Sequence, residues 1–265
     1  MTRKEDNMKI LIVGDVVSKL GRQALEENIK RIKQEQTINF IIVNGENISH
    51  GKGMNINHYK WLMSLGVNVV TMGNHTFNNK QIYELFDNYD NIVRPLNYKE
   101  DKPGKGYVTI NYNGIKITIF QVIGNTFMEE GNYSLFEKAN EFVNNIDTDI
   151  LICDIHAEAT SEKIAFGYYM DGKVDVVFGT HTHVQTSDER ILPNGTAYIT
   201  DVGMTGALNG VIGTKKDIIV NRFVNNKKDV FAPEDDGPMQ FNAIIIEIND
   251  STHKVTHIDR IKVIK

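Results

Sequence analysis

The 265-residue chain is 41% hydrophobic and carries 29 basic against 34 acidic side chains, a formal net charge of −5. That length supports one large α/β core, and a near-balanced charge with no long run of either sign excludes a protein that coats nucleic acid. The single cysteine, Cys153, excludes an intramolecular disulfide, suits a reducing cytoplasm, and sits in an apolar run where a small buried core residue is expected.

Met1 to Asn7 is polar and reads as a disordered extension (residues 1–7) ahead of one domain over residues 8–265; neither a signal peptide nor a spanning helix is expected. Lys9 to Val13 is a short continuous apolar run, the pattern of a strand buried on both faces, and it ends at Gly14-Asp15. From Gln23 to Gln36, Leu25, Ile29 and Ile32 recur at helical spacing among charges, which predicts an amphipathic helix. Phe40 to Val43 is the next buried strand and ends at Asn44-Gly45-Glu46-Asn47. A glycine-containing loop, Ser49 to Met54, leads to a helix near Ile56 to Leu65, with Gly66 where a C-cap belongs. Val67 to Met72 is the third strand and ends at Gly73-Asn74-His75. Strand, helix, strand, helix, strand implies parallel pairing through right-handed crossovers, with functional groups at the carboxyl ends of the strands.

The middle of the chain changes character. Tyr107 to Tyr112 and Ile115 to Ile123 flank Asn113-Gly114, a hairpin signal. Phe136 to Ile146 reads as helix, Asp149 to Asp154 as a strand running on to His156, and Ser161 to Met170 as a short helix. Val174 to Phe178 is a strand that ends in Gly179-Thr180-His181-Thr182-His183. Arg190 to Leu192 and Thr196 to Thr200 form a hairpin through Pro193-Asn194-Gly195, and Gly203 to Gly213 reads as a glycine-rich loop at the site. Phe241 to Ile248 pairs with Lys254 to Ile264 through Asn249-Asp250-Ser251. The expected fold is α/β: a sandwich of two mixed β-sheets flanked by helices.

Five strand ends thus carry hard or borderline metal ligands. Each has a bland reading by itself, since a strand-end Asn is commonly a turn residue and a lone surface His commonly does nothing. Their coincidence is what points to a metal centre at one edge of a sheet. His181 and His183, at i and i+2, would project to one side of an extended backbone and hand two imidazoles to one site. Asp15 and Glu46 offer carboxylates, Asn47 and Asn74 neutral oxygens, and His156 a third imidazole. This set exceeds the needs of one cation, and a carboxylate can bridge two cations about 3.5–4 Å apart, as in two-metal phosphoryl-transfer sites. Two divalent ions bring four positive charges; two carboxylates and a bridging hydroxide remove three, and the remainder suits an anionic phosphate ester. Mixed nitrogen and oxygen ligation without thiolate suits manganese, iron or zinc better than calcium or copper(I); iron or manganese is expected ahead of zinc, a ranking the ligands do not decide.

The order Asp15, Asn44 to Asn47, Gly73-Asn74-His75, His156 and Gly179 to His183 resembles the calcineurin-type metallophosphoesterase superfamily. Within it, the segments Asp154 to Lys163, Gly179 to Gln185 and Asp201 to Gly206 are similar to the bacterial YmdB-like branch, described as 2′,3′-cyclic-nucleotide 2′-phosphodiesterases. Where the wider superfamily has a histidine two residues after the first Asp, this chain has Val17, and Glu46 stands where a bridging Asp is usual. The resemblance implies that Asp15, Glu46, Asn47 and His183 hold one metal, and that Glu46, Asn74, His156 and His181 hold the other. It implies His75 as the proton donor, a role that also suits an imidazole placed beside the metals without having to bind one.

Glu158 and Asp201 read either as residues orienting a ligand or as ordinary helix-start and structural carboxylates, and Asp154 reads as structural. His50 lies in a loop that could line the pocket, while His253 and His257 belong to the terminal hairpin and read as bland. The expected substrate is a small cyclic nucleotide or an RNA-derived phosphodiester. No membrane and no stable nucleic-acid complex is expected, and homo-oligomerisation stays open. One alternative is a phosphomonoesterase or 5′-nucleotidase, against which stands the expectation that the chain has no room for a second substrate-binding domain. Another is a regulatory protein that senses a nucleotide through its metal site; a broken ligand set would favour it, and the set is intact.

Overall fold

The computed structural model describes residues 7–99, 102–128, 132–227 and 229–265. Residues 1–6 of the expected extension lie outside these, but Asn7 is the first residue of β1 (Asn7–Val13), opposite Asn249 of the terminal hairpin. Gly14 separates β1 from the two-residue β2 (Asp15–Val16), and a Cβ at Gly14 would run into the Gly203 carbonyl. Helix α1 (Ser18–Gln36) leads to β3 (Phe40–Asn44), α2 (Ile56–Ser64) to β4 (Val69–Thr71), and α3 (Gln81–Asn88) to β5 (Ile92–Val93). β1, β3, β4 and β5 pair in parallel, as the alternation of strands and helices implies. Gly66 follows α2 with φ 85°, the left-handed conformation that ends a helix without a Cβ clash.

The second sheet starts with β6 (Tyr107–Tyr112) and β7 (Ile115–Ile123), joined by Asn113 and Gly114 at φ 52° and 94°. Two positive φ values in a two-residue loop match the twist of a hairpin, which is why Asn-Gly belongs there. Past α4 (Leu135–Val143), β8 (Ile150–His156) pairs in parallel with β7; past α5 (Thr160–Met170), β9 (Val176–Thr180) does so with β8. The hairpin of β10 (Arg190–Ile191) and β11 (Ala197–Ile199) closes that side. The chain then returns to the first sheet with β12 (Met204–Ala207), α6 (Lys216–Asn225), β13 (Met239–Asn249) and β14 (Val255–Ile264). The sheets run β2-β12-β13-β1-β3-β4-β5, with β14 also on β13, and β10-β11-β9-β8-β7-β6.

Side-chain alternation in the buried strands fills three layers of core. Ile10, Ile12 and Ile42 meet Ile119, Ile152 and Phe178 between the sheets. Leu11, Val13 and Ile41 pack outward with Leu25, Ile29 and Leu62 of the first helices. Phe120 and Cys153 pack with Ala139 and Phe166 of α4 and α5, and burial pushes the Cys153 thiol up, as expected of a core residue. The fold is the expected α/β sandwich of two mixed sheets flanked by helices. Three differences from the sequence reading have physical causes. α3, β5 and α6 are short elements that no long periodic pattern announces. The Gly203 to Gly213 stretch is only partly loop, because Met204–Ala207 is held as β12 between β2 and β13. α1 begins at Ser18, where Gly21 lets the helix approach the Thr205 carbonyl; a Cβ there would lie 2.5 Å from it. Among the described residues no helix is long and apolar enough to cross a membrane.

Candidate metal centre

All the sequence-predicted ligands meet where β1, β3, β4, β8 and β9 end. His156, fully buried, is the hub of one half. Its Nε2 lies 2.9 Å from Asn74 Oδ1, 3.1 Å from Glu46 Oε1 and 3.1 Å from His181 Nδ1. An imidazole nitrogen offers one in-plane lone pair or one proton, so it cannot serve three partners. Gly73 makes this crowding sterically feasible, since a Cβ at that position would land on the Glu46 carboxylate and the His156 ring.

The tautomer of His156 follows from the groups behind it. The Thr180 hydroxyl donates to Asp154 Oδ1 at 2.7 Å, so Thr180 Oγ1 is left to accept from His156 Nδ1 at 2.9 Å. With its proton on Nδ1, His156 turns Nε2 toward Glu46 and Asn74; burial works to lower this imidazole, and the Glu46 carboxylate raises it. Asp154 also accepts from Gln121 Nε2 at 2.8 Å; burial raises its carboxyl to about 6 against the pull of His156. His181 is oriented likewise: its Nε2 lies 3.2 Å from the Glu158 carboxylate, which leaves Nδ1 facing His156. Burial and the neighbouring His156 depress the His181 imidazole to about 3.

The other half consists of Asp15, Asn47 and His183. His183 Nδ1 donates to the Ile212 carbonyl at 2.9 Å, so its Nε2 faces inward, 3.2 Å from Asn47 Nδ2 and 3.6 Å from Asp15 Oδ1. Asp15 Oδ2 accepts from the His181 amide at 3.2 Å, but Oδ1 is buried with no hydrogen-bond partner. Burial works to raise the Asp15 carboxyl, yet His183 and His156 hold it well below the usual range. Burial works to lower His183, and its pairing with Asp15 raises it to about 9. Asn47 Nδ2 also donates to Glu46 Oε1 at 3.1 Å, so Glu46 touches both halves.

His181 and His183 do not share one side of an extended strand. β9 ends at Thr180, and the two histidines have φ 96° and 65°, so the backbone turns and sends one ring to each half. A straight strand would have delivered both to one half and left Asp15 without its imidazole. The strained turn is clamped from within: Lys163 Nζ, fully buried, donates to the Thr180 carbonyl and to Asp201 Oδ2, each at 2.6 Å. That same carboxylate oxygen accepts from the Thr182 amide at 3.1 Å and its hydroxyl at 2.7 Å. His75 stands beside both halves. Its backbone amide donates to Glu46 Oε2 at 3.0 Å, while its ring Nδ1 accepts from Asn78 Nδ2 at 2.6 Å.

The donor set fits divalent cations. Ligand atoms of Glu46, His156 and His181 all lie within 4.8 Å of one another. The three-way crowding on His156 Nε2 and the orphaned Asp15 Oδ1 are both arrangements that a positive ion would satisfy. Oxygen and imidazole donors without thiolate match a borderline metal.

The sequence profile of the YmdB-like protein family matches residues 11–261. The chain belongs to the YmdB-like family. It is 43% identical to the 2′,3′-cyclic-nucleotide 2′-phosphodiesterase of Bacillus subtilis, over 96% of either chain. It superposes on the crystal structure of a novel phosphatase from Mycoplasma pneumoniae with TM-score 0.94 and 36% identity, covering 98% of this chain and 94% of that one. A hypothetical protein from Thermus thermophilus matches with TM-score 0.91 and 34% identity, covering 97% of this chain and 100% of that one. In this YmdB-like protein the centre depends on residues that the sequence reading passed over. Thr180 and Lys163 lay inside the motifs but offered no ligand chemistry. Asp154 read as merely structural, whereas it holds the hydroxyl that sets the His156 tautomer. His253 lies 4.0 Å from Asp149, away from the centre, as its bland reading requires.

Proposed function

We propose that this chain hydrolyses 2′,3′-cyclic nucleotides to 3′-nucleotides at a centre of two divalent cations, iron or manganese ahead of zinc, with His75 as proton donor. It is a phosphoric-ester hydrolase, and the cluster of Glu46, His156 and His181 supports divalent metal use. On this reading Asp15, Glu46, Asn47 and His183 would hold one cation, and Glu46, Asn74, His156 and His181 the other. The observation that carries it is the convergence of Asn74, Glu46 and His181 on one nitrogen of His156. Bound cations would supply Lewis-acid activation of the phosphate and a nucleophile available at neutral pH.

The chain's own residues account for the rest. A cleft of about 350 Å³ opens beside the centre, lined at its inner end by Asn47, His75 and His183. Among the described residues its lining includes Lys52 and His50 but no carboxylate, so it suits an anion. Asn47 would meet a cation through its oxygen, which a half-turn of the amide presents in place of Nδ2. Asn78 engages His75 Nδ1, so Nε2 is the nitrogen left to face a leaving ribose oxygen. In the protonated ring that acts as the acid, Nδ1–H would be held by the Asn78 amide oxygen after a half-turn, and Nε2–H would pass to the ribose oxygen and leave the neutral imidazole. Breaking the 2′ ester bond leaves a 3′-monophosphate. We assign the activity to one metallophosphoesterase domain over residues 8–265, acting in the cytoplasm on a small-molecule phosphodiester.

Metal analysis combined with product identification tests this. Two equivalents of metal and 3′-monophosphate as product are expected. Product that is only 2′-monophosphate would show the ring held in the opposite sense. No cleavage with manganese or iron supplied would return the chain to a nucleotide-binding role.

A further inference from the structure

The cleft has a second end. Away from the histidines it is walled by Ile212 and Phe231, two large apolar side chains that stay 53% and 57% exposed. An aromatic ring left open to solvent inside a cleft is an unfilled contact rather than core packing. The ring is nonetheless fixed. The Arg222 guanidinium lies over it, 4.7 Å from its centroid, and so occupies one face. The backbone beside it is tied to the catalytic wall: the Lys215 amide donates to the Ala232 carbonyl at 3.0 Å, and the Glu234 amide to the Gly213 carbonyl at 2.9 Å. Those bonds join the Phe231 segment to Ile212, whose carbonyl orients His183. Phe231 is thus held in a set position relative to the centre.

We infer that Phe231 is the stacking platform for the nucleobase, and that the enzyme takes single nucleotides in which the base lies on Phe231 while the phosphate sits among Asn47, His75 and His183. This rests on the function proposed above and names the part of the substrate that the metal centre does not read. The cleft volume of about 350 Å³ lies near the lower end of ligand pockets, which run to about 1,000 Å³, and so fits one nucleotide rather than an oligonucleotide. Stacking accepts any base, because every base has a π face, so the platform favours nucleotides over base-free phosphodiesters without choosing strongly among bases.

The test compares adenosine 2′,3′-cyclic phosphate with methyl riboside 2′,3′-cyclic phosphate, which lacks the base. Phe231→Ala should raise KM for the adenosine compound roughly 5- to 150-fold, the range of a lost base–aromatic stack. It should leave kcat unchanged, as expected for binding common to ground and transition states, and leave KM for the base-free compound unchanged. Phe231→Trp should keep the wild-type KM on both. An equal rise on both compounds, or none on the adenosine compound, overturns the platform. Failure of the wild type on both compounds would instead defeat the catalytic reading, and calorimetry would still decide the platform. Wild-type protein should then bind adenosine 3′-phosphate more tightly than ribose 3-phosphate, a preference that Phe231→Ala loses; absence of that preference in the wild type overturns the inference.

Discussion

His156 is locked from behind by Thr180 and Asp154, all three fully buried, whereas His183 leans on one main-chain carbonyl, that of Ile212, in an exposed loop. The two halves of the centre use the same residue types and differ in their bracing. Around His156 the ring tautomer, ring plane and neighbouring glycine are all set by strands in the core. Around His183 the carbonyl belongs to a residue with φ 45°, and the carboxylate oxygen it faces stands 3.6 Å off with no hydrogen-bond partner. Groups that orient a ligand commonly change metal affinity by about 10–100-fold. On the proposed two-cation reading, the comparison implies a tighter half at His156 and a more adjustable half at His183, next to the cleft.

Glu46 tests the comparison most severely, because it touches both halves. Glu46→Ala should lose both cations and all turnover, while His253→Ala changes neither; two metals and normal turnover in Glu46→Ala would remove the shared carboxylate from the scheme. Chemistry can be separated from ligation at His75. His75→Gln should retain both cations and lower kcat by about 10²–10⁴-fold, the usual worth of a general acid. The loss should shrink on a nitrophenyl phosphodiester, whose leaving group departs without a proton, and an equal loss on both substrates would exclude His75 as the acid.

The clamp between the two histidines should show itself in stability. Lys163 and Asp201 are both fully buried, so Lys163→Met leaves an uncompensated carboxylate and should cost about 3–5 kcal/mol in urea unfolding. A loss below about 1 kcal/mol, the size of an exposed pair, would show that the turn holds without the ion pair. The finest test is Thr180→Val, which keeps the side chain's shape and removes the hydroxyl behind His156. It should weaken cation binding about 10–100-fold at one of the two equivalents only, read by titration of the apoprotein. Weakening at both equivalents, or at neither, would erase the distinction between the halves.

The short apolar runs determined much of this molecule by themselves. A continuous run such as Lys9 to Val13 must be covered on both faces, so β1 lies between a helix layer and a second sheet, and polar residues can enter only at its end. That is why Asp15, Glu46, Asn74, His75 and His156 could be read from the sequence as one constellation. Asn113-Gly114 fixed its hairpin for an equally local reason, the two left-handed residues that such a turn demands. Other features depend on partners far away in the chain, and only the tertiary structure decided them. Met204–Ala207 has no pattern of a strand until β2 and β13 supply its hydrogen bonds. Lys163, in a helix, acquires its role only when Asp201 is brought to 2.6 Å. His181 and His183 look alike in sequence, but the division of labour between them follows from a backbone turn that Lys163, Asp201 and Thr182 hold together across the fold. Propensity and periodicity report what a segment must bury; which distant groups satisfy its polar atoms is settled by packing.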